Sequence, residues 1–235
     1  MLTIPPRDRL IVALDFPKPA AALALVESLG DTVTFYKLGL ELFMAGDYFR
    51  LLDDLLDRGK KIFVDLKFFD VPQTVGSAVA RLCDRGATFA TVHGNDAMLD
   101  AACKAKGDLK ILAVTALTSL DRADLDDLGF QVEVRELVLS RARRAMDIGC
   151  DGVISSGLEV ADLRAEHGDA LVIVTPGIRP VENRLEDDQK RVMSPDQAFR
   201  AGADHIVVGR PIRDAPDPRQ AATAIQSNIS GLFPA

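Results

Sequence analysis

The chain has 235 residues, 48% of them hydrophobic and 27% charged, a balance that excludes disorder because it supplies both a core and a solvated surface. A formal charge of −7 argues against a nucleic-acid footprint, which needs Lys and Arg gathered on one face. No stretch reaches the roughly 18 apolar residues of a membrane span, and the N-terminal apolar run is short and meets Asp15, so a cytoplasmic protein is expected.

Eight short apolar, β-branched runs follow along the chain, at 9–15, 33–39, 61–67, 88–94, 110–117, 151–157, 171–177 and 205–210. Segments of helical spacing lie between them. In 41–59 and 132–149, Leu, Val and Met recur every three or four positions, and Gly59 and Gly149 close the ends. Ser194, Pro195 and Gln197 have the order of an N-cap, a first helical proline and a capping-box partner. Cys83, Cys103 and Cys150 are odd in number and lack Cys-x-x-Cys spacing, so buried thiols are expected rather than a disulfide framework or zinc site.

Near-continuous apolar strands alternating with helices imply a parallel sheet covered on its outer face. Eight such repeats in this length predict a single-domain (β/α)8 TIM barrel over residues 1–235. A doubly wound open sheet is the alternative. No strand is followed by the G-x-G-x-x-G turn or P-loop that such a sheet often carries.

Polar residues interrupt the apolar runs at their C-terminal ends: Asp15, Lys37, Asp65, Lys67, His93, Thr118, Ser155, Ser156, Thr175, Gly209 and Arg210. In a parallel barrel these ends share one mouth. Ser155, Ser156 and Thr175 are expected to cap helices, and His93 to be a hydrogen-bonded structural residue. Lys37 and Lys67 cannot cap an N-terminus and need carboxylate partners. Asp65 and Lys67 stand two apart, which puts both on one face of a strand, with Leu66 on the other.

Asp70 follows that strand and precedes Val71 and Pro72, where a helix start is expected and the Asp70 carboxylate can turn toward the mouth. Asp15, Lys37, Asp65, Lys67 and Asp70 then form an alternating set of charges; a solvated surface ion-pair cluster is the alternative. Flanking carboxylates favour an ammonium, so Lys67 is suited to act as an acid and not as a Schiff-base nucleophile. Such a cation stabilises a developing carbanion and then protonates it, without a cofactor.

The loops after strands seven and eight commonly hold phosphate in such barrels. Here the last offers the Gly209 and Arg210 amides and a guanidinium, although a surface salt bridge would also account for Arg210 alone. The loop after strand seven is long, carries Arg179 and Gln189, and is expected to act as a lid.

With these residues assembled, the chain resembles the bacterial orotidine 5'-phosphate decarboxylase family. The resemblance rests on D-x-K-x-x-D in "DLKFFDVPQT", "ALD" ending strand one, "YKLG" ending strand two, "VTALTS", "VTPGIRP" through "DQKR", and "VVGRPI". It runs from residue 11 to about 213, and the order and spacing of the motifs are far more specific than any one of them.

The resemblance implies decarboxylation of orotidine 5'-monophosphate to uridine 5'-monophosphate in pyrimidine biosynthesis, with no metal or organic cofactor. It implies Lys67 as proton donor to C6, Asp65 and Asp70 as its flanking carboxylates, and Lys37 completing the network. Asp15, Lys37 and Thr74 would hold the ribose, Thr118 the pyrimidine, and Arg179, Gln189, Gly209 and Arg210 the phosphate. It also implies a homodimer in which the neighbouring subunit supplies Asp70 and Thr74.

Phe68, Phe69 and Val71 depart from common family residues without touching a charged role, and "HGNDA" leaves the part played by Asn95 open. Two other readings compete. A magnesium-dependent decarboxylase or aldolase acting on a ketohexose phosphate shares D-x-K-x-x-D but has an acidic residue where this chain has Lys37. A non-catalytic phosphate-binding barrel would need only the phosphate loops and not the five charges.

Overall fold

Alternation along each strand decides what faces the barrel axis. Leu10, Val12 and Leu14 pack outward among the helices, whereas Ile11 and Ala13 join Phe35, Phe63, Phe89 and Val207 inside. In the computed structural model, which describes residues 4–179 and 192–234, this pattern builds eight parallel strands. They are β1 (Leu10–Ala13), β2 (Phe35–Gly39), β3 (Lys61–Phe68), β4 (Phe89–His93), β5 (Lys110–Val114), β6 (Gly152–Ile154), β7 (Val172–Thr175) and β8 (His205–Val208).

The strands follow one another in chain order, and β8 closes on β1 through Leu10–Ile206, Ile11–Val207 and Val12–Val208. Closure excludes the open doubly wound sheet. The outer layer of helices comprises α1 (Pro19–Leu29), α2 (Leu40–Met44), α3 (Tyr48–Asp57), α4 (Pro72–Cys83), α5 (Asp96–Ala105), α6 (Arg122–Asp127), α7 (Val134–Ile148), α8 (Val160–His167), α9 (Pro195–Ala201), α10 (Arg210–Arg213) and α11 (Pro218–Leu232). None of the described helices is long and apolar enough to cross a membrane.

The local signals hold where they rest on backbone chemistry. At α9 the Ser194 hydroxyl accepts from the Gln197 amide, and the Gln197 side chain accepts in return from the Ser194 amide. Helix α7 ends on Gly149 at φ +98°, a conformation in which a Cβ is costly. The run 41–59, read as one helical segment, is two helices: Gly46 at φ +82° and Asp47 at φ +51° break it between α2 and α3.

Ser155, Ser156 and Thr175 cap no helix. Ser156 accepts from the Leu158 amide and donates to Glu159, Ser155 donates to the Ser156 carbonyl, and the Thr175 hydroxyl is buried without a partner among the described residues. Helix α8 begins only after Glu159, too far along the chain for either serine to reach its first amides. Of the cysteines only Cys150 is fully buried; Cys83 and Cys103 are half-buried, because each sits on the flank of a surface helix. All three are free thiols.

Candidate active site

The C-terminal ends of the strands open onto a cavity of about 460 Å³. Its wall takes Asp15 from just past β1, Lys37 from β2, Asp65 and Lys67 from β3, Thr118 from the loop after β5, Arg179 from the loop after β7, and Gly209 and Arg210 from the end of β8. These eight expected residues are thus brought together around an apolar floor that includes Phe63, Val114, Ile154 and Val207. Gln189 lies outside the described residues. Asp70 and Thr74 are exposed and form no part of the described cavity wall, and the Asp70 carboxylate accepts from the neighbouring Val71 amide at 2.6 Å.

Four of the charges form an unbroken line. Asp15 Oδ1 lies 2.9 Å from Lys37 Nζ, which lies 3.6 Å from Asp65 Oδ2, and Asp65 Oδ1 lies 2.9 Å from Lys67 Nζ. Burial works against the charge on Lys37, but Asp65 and Asp15 outweigh it and raise its pKa. Burial likewise opposes the Asp65 carboxylate, yet Lys37 and Lys67 hold its pKa below the ordinary value. Both shifts favour an ionised pair. Lys37 and Asp65 at the centre of the line are not a solvated surface pair, their side chains being only 11% and 13% exposed, whereas Asp15 and Lys67 at its ends are 40% and 38% exposed.

Gly39 makes this closeness possible. A Cβ there would stand 2.9 Å from both Asp15 Oδ1 and Lys37 Nζ. On β3, Leu66 packs outward as expected from the alternation, but Lys67 lies in a bulge at φ +49°. His93, expected to be hydrogen-bonded, instead packs its half-buried ring edge-on against Phe69 at 4.9 Å, with no ring hydrogen bond among the described residues. Burial, then Arg141 and Lys67, hold its pKa below the ordinary value. Asn95 occupies the N-cap position of α5 without a capping bond from its side chain.

Residues 8–225 match the family described as orotidine 5'-phosphate decarboxylase / HUMPS. The chain belongs to this family. It is 66% identical over 232 residues to the orotidine 5'-phosphate decarboxylase of Methylococcus capsulatus, covering 99% of this chain and 96% of that one. It is 51% identical over 226 residues to the orotidine 5'-phosphate decarboxylase of Rhodopseudomonas palustris strain HaA2, covering 95% of each. Among solved structures, the orotidine 5'-phosphate decarboxylase from Lactobacillus acidophilus superimposes with a TM-score of 0.83 at 36% identity, over 94% of this chain and 99% of that one.

Three polar residues of this decarboxylase-family site escape the sequence reading. Arg213 lines the cavity and donates to the Asp15 main-chain carbonyl at 2.8 Å. Its spacing of three from Arg210 puts both on one side of a helix turn, a signal that was present in the sequence. Glu41 lines the rim at the start of α2. Thr91, inside the apolar run of β4, accepts from the Lys67 amide and donates to Asp65; a threonine in a strand gives no such signal by itself. The assembled site sets a cation where negative charge can be stabilised, and two arginines with backbone amides where an anion can be gripped.

Proposed function

We propose that this chain decarboxylates orotidine 5'-monophosphate to uridine 5'-monophosphate in pyrimidine biosynthesis, in the cytoplasm, with one barrel domain carrying the chemistry. The observation that carries the reading is the Asp15–Lys37–Asp65–Lys67 line inside a cavity whose wall also holds Gly209 and Arg210, beside the Asp15 end of the line. Breaking the bond between C6 and the carboxylate releases CO₂ and leaves an electron pair in the ring plane at C6. Lys67 is the proton donor: its ammonium stabilises that pair through space and then transfers a proton to it, and solvent restores the ammonium.

The other residues serve binding. Asp15 and Lys37 hold the ribose hydroxyls, Thr118 meets the pyrimidine, and Gly209, Arg210 and Arg179, with Gln189, hold the phosphate. Remote grip of this kind favours the transition state when it closes the site against water. Lys37 also occupies the space between two carboxylates where a divalent ion would otherwise find its oxygen ligands, so the residues present do not fit a magnesium-dependent chemistry.

The active unit is a homodimer. Asp70 and Thr74 are exposed and lie outside the wall of their own cavity, and Phe69 and Val71 beside them are 67% and 62% exposed. An apolar surface of this kind is buried by a second copy, which places Asp70 and Thr74 in the neighbouring site. The test is to mix the protein with orotidine 5'-monophosphate in buffer containing EDTA and follow the loss of orotate absorbance. Turnover is expected, and none at any protein concentration refutes the reading.

A further inference from the structure

The mouth end of β3 is irregular. Val64 pairs with Ala90 and Phe68 with Val92, so four steps along β3 match two along β4. Lys67 lies inside this bulge at φ +49°, a left-handed conformation uncommon for a residue with a Cβ. Bulges of this sort re-aim a side chain, but they also take backbone groups out of the ladder. Something else must then satisfy the Lys67 amide.

Thr91, fully buried on β4, does so. Its Oγ1 accepts from the Lys67 amide at 2.9 Å and donates a hydrogen bond to Asp65 Oδ1 at 3.0 Å. The same Asp65 oxygen receives Lys67 Nζ at 2.9 Å. One hydroxyl therefore grips both the backbone that carries the ammonium and the carboxylate atom that the ammonium faces. A group that accepts and donates at a single atom is required; a methyl of the same size does neither.

We infer that Thr91 is a positioning residue of the reaction, fixing the Lys67 bulge and the Asp65 carboxylate in one geometry so that the ammonium meets C6. This rests on the decarboxylase reading above. Thr91 itself touches neither the ribose nor the phosphate side. Its loss therefore misdirects proton delivery while leaving ground-state binding in place.

The experiment compares wild type, Thr91→Val, Thr91→Ala and Thr91→Ser by kcat, KM for orotidine 5'-monophosphate, and Kd for uridine 5'-monophosphate. Thr91→Val and Thr91→Ala should lose about 10- to 100-fold in kcat, with KM and Kd within about twofold of wild type. Thr91→Ser, which keeps the hydroxyl, should recover most of the loss. A kcat within about threefold of wild type in both hydroxyl-free variants, no recovery with serine, or a parallel weakening of product binding would each overturn the inference. So would failure of both hydroxyl-free variants to fold beside a folded serine variant, which would make the role structural. Absence of turnover in wild type would instead sink the decarboxylase reading, and the positioning role with it.

Discussion

Lys37 and Asp65 face one another across 3.6 Å at the barrel mouth, each almost wholly withdrawn from water. Such a pair contributes little against a well-packed apolar replacement, but removing Lys37 leaves the buried Asp65 with Lys67 as its one remaining counter-charge among the described residues. Lys37→Met should therefore lower the unfolding free energy at pH 7 by about 3 kcal/mol. The Asp65 carboxyl then loses a cation that holds its pKa down, so in the variant it should take up a proton at higher pH than in wild type. Protonation relieves the weakened compensation of that buried charge, and the deficit relative to wild type should shrink as pH falls from 7 toward 5. Urea titrations of both proteins at the two pH values measure it.

Lys67→Ala should fold with a near-native melting temperature, since its side chain lies beside the cavity at 38% exposure and not in the core. Its kcat should fall by about 10³-fold or more, at the upper part of what a general acid supplies. Orotate absorbance at saturating substrate is the measurement. Near-wild-type turnover would remove Lys67 from the proton-donor role.

Arg210→Ala should act on binding. Losing a charge-assisted hydrogen bond costs about 1.5–3 kcal/mol, so kcat/KM for orotidine 5'-monophosphate should drop roughly 10- to 100-fold. Any turnover of the nucleoside orotidine, which has no phosphate, should be unchanged. An equal loss on both substrates would show that Arg210 does something other than hold the phosphate.

The dimer proposal has a sharp consequence for mixed variants. Lys67→Ala and Asp70→Asn homodimers should each be inactive. After unfolding and refolding together, a hybrid contains one site with the Lys67 of one chain and the Asp70 of the other, and activity should return. If both residues served the same chain's site, no hybrid could contain an intact site and mixing would restore nothing.

His205 offers a pH test remote from the cavity. Its ring is buried beside Phe35 and Phe89, and its Nδ1 donates to the Asp8 carbonyl at 2.9 Å. Burial lowers its pKa from 6.5 to about 4. Below pH 6.5 the unfolded chain binds a proton here that the folded chain refuses, so stability is greatest above that value and declines as pH falls toward about 4. The full effect is about 3 kcal/mol. His205→Gln should flatten that slope in denaturant titrations, and an unchanged slope would assign the acid sensitivity elsewhere.

Strand count and the shared mouth were legible because they depend on local periodicity. The runs ending in Asp15, Lys37 and Arg210 are apolar enough to be strands, and parallel closure then brings their ends together without further information. What stayed hidden depends on contacts between elements. The Thr91 hydroxyl matters only because the β3 bulge presents the Lys67 amide to it, and no pattern within β4 announces a bulge in its neighbour. The break at Gly46 and Asp47 was visible as residues but was overridden by an apolar spacing that continued through it. Ser155 and Ser156 resemble caps by type, yet the turn to Glu159 intervenes before α8 starts.

The pairing of β1 with β8 makes the two ends of the chain interdependent in time as well as space. Asp15 must wait for Arg213, 198 positions later, to reach its carbonyl, and for Gly209 and Arg210 to form the adjoining wall. A ribosome that halts after β7 would thus release a ring with a gap, two unpaired strand edges, and no phosphate pocket. Raw edges of that kind invite pairing with other chains, so an interrupted copy is expected to be adhesive and inert, with no intermediate grade of activity.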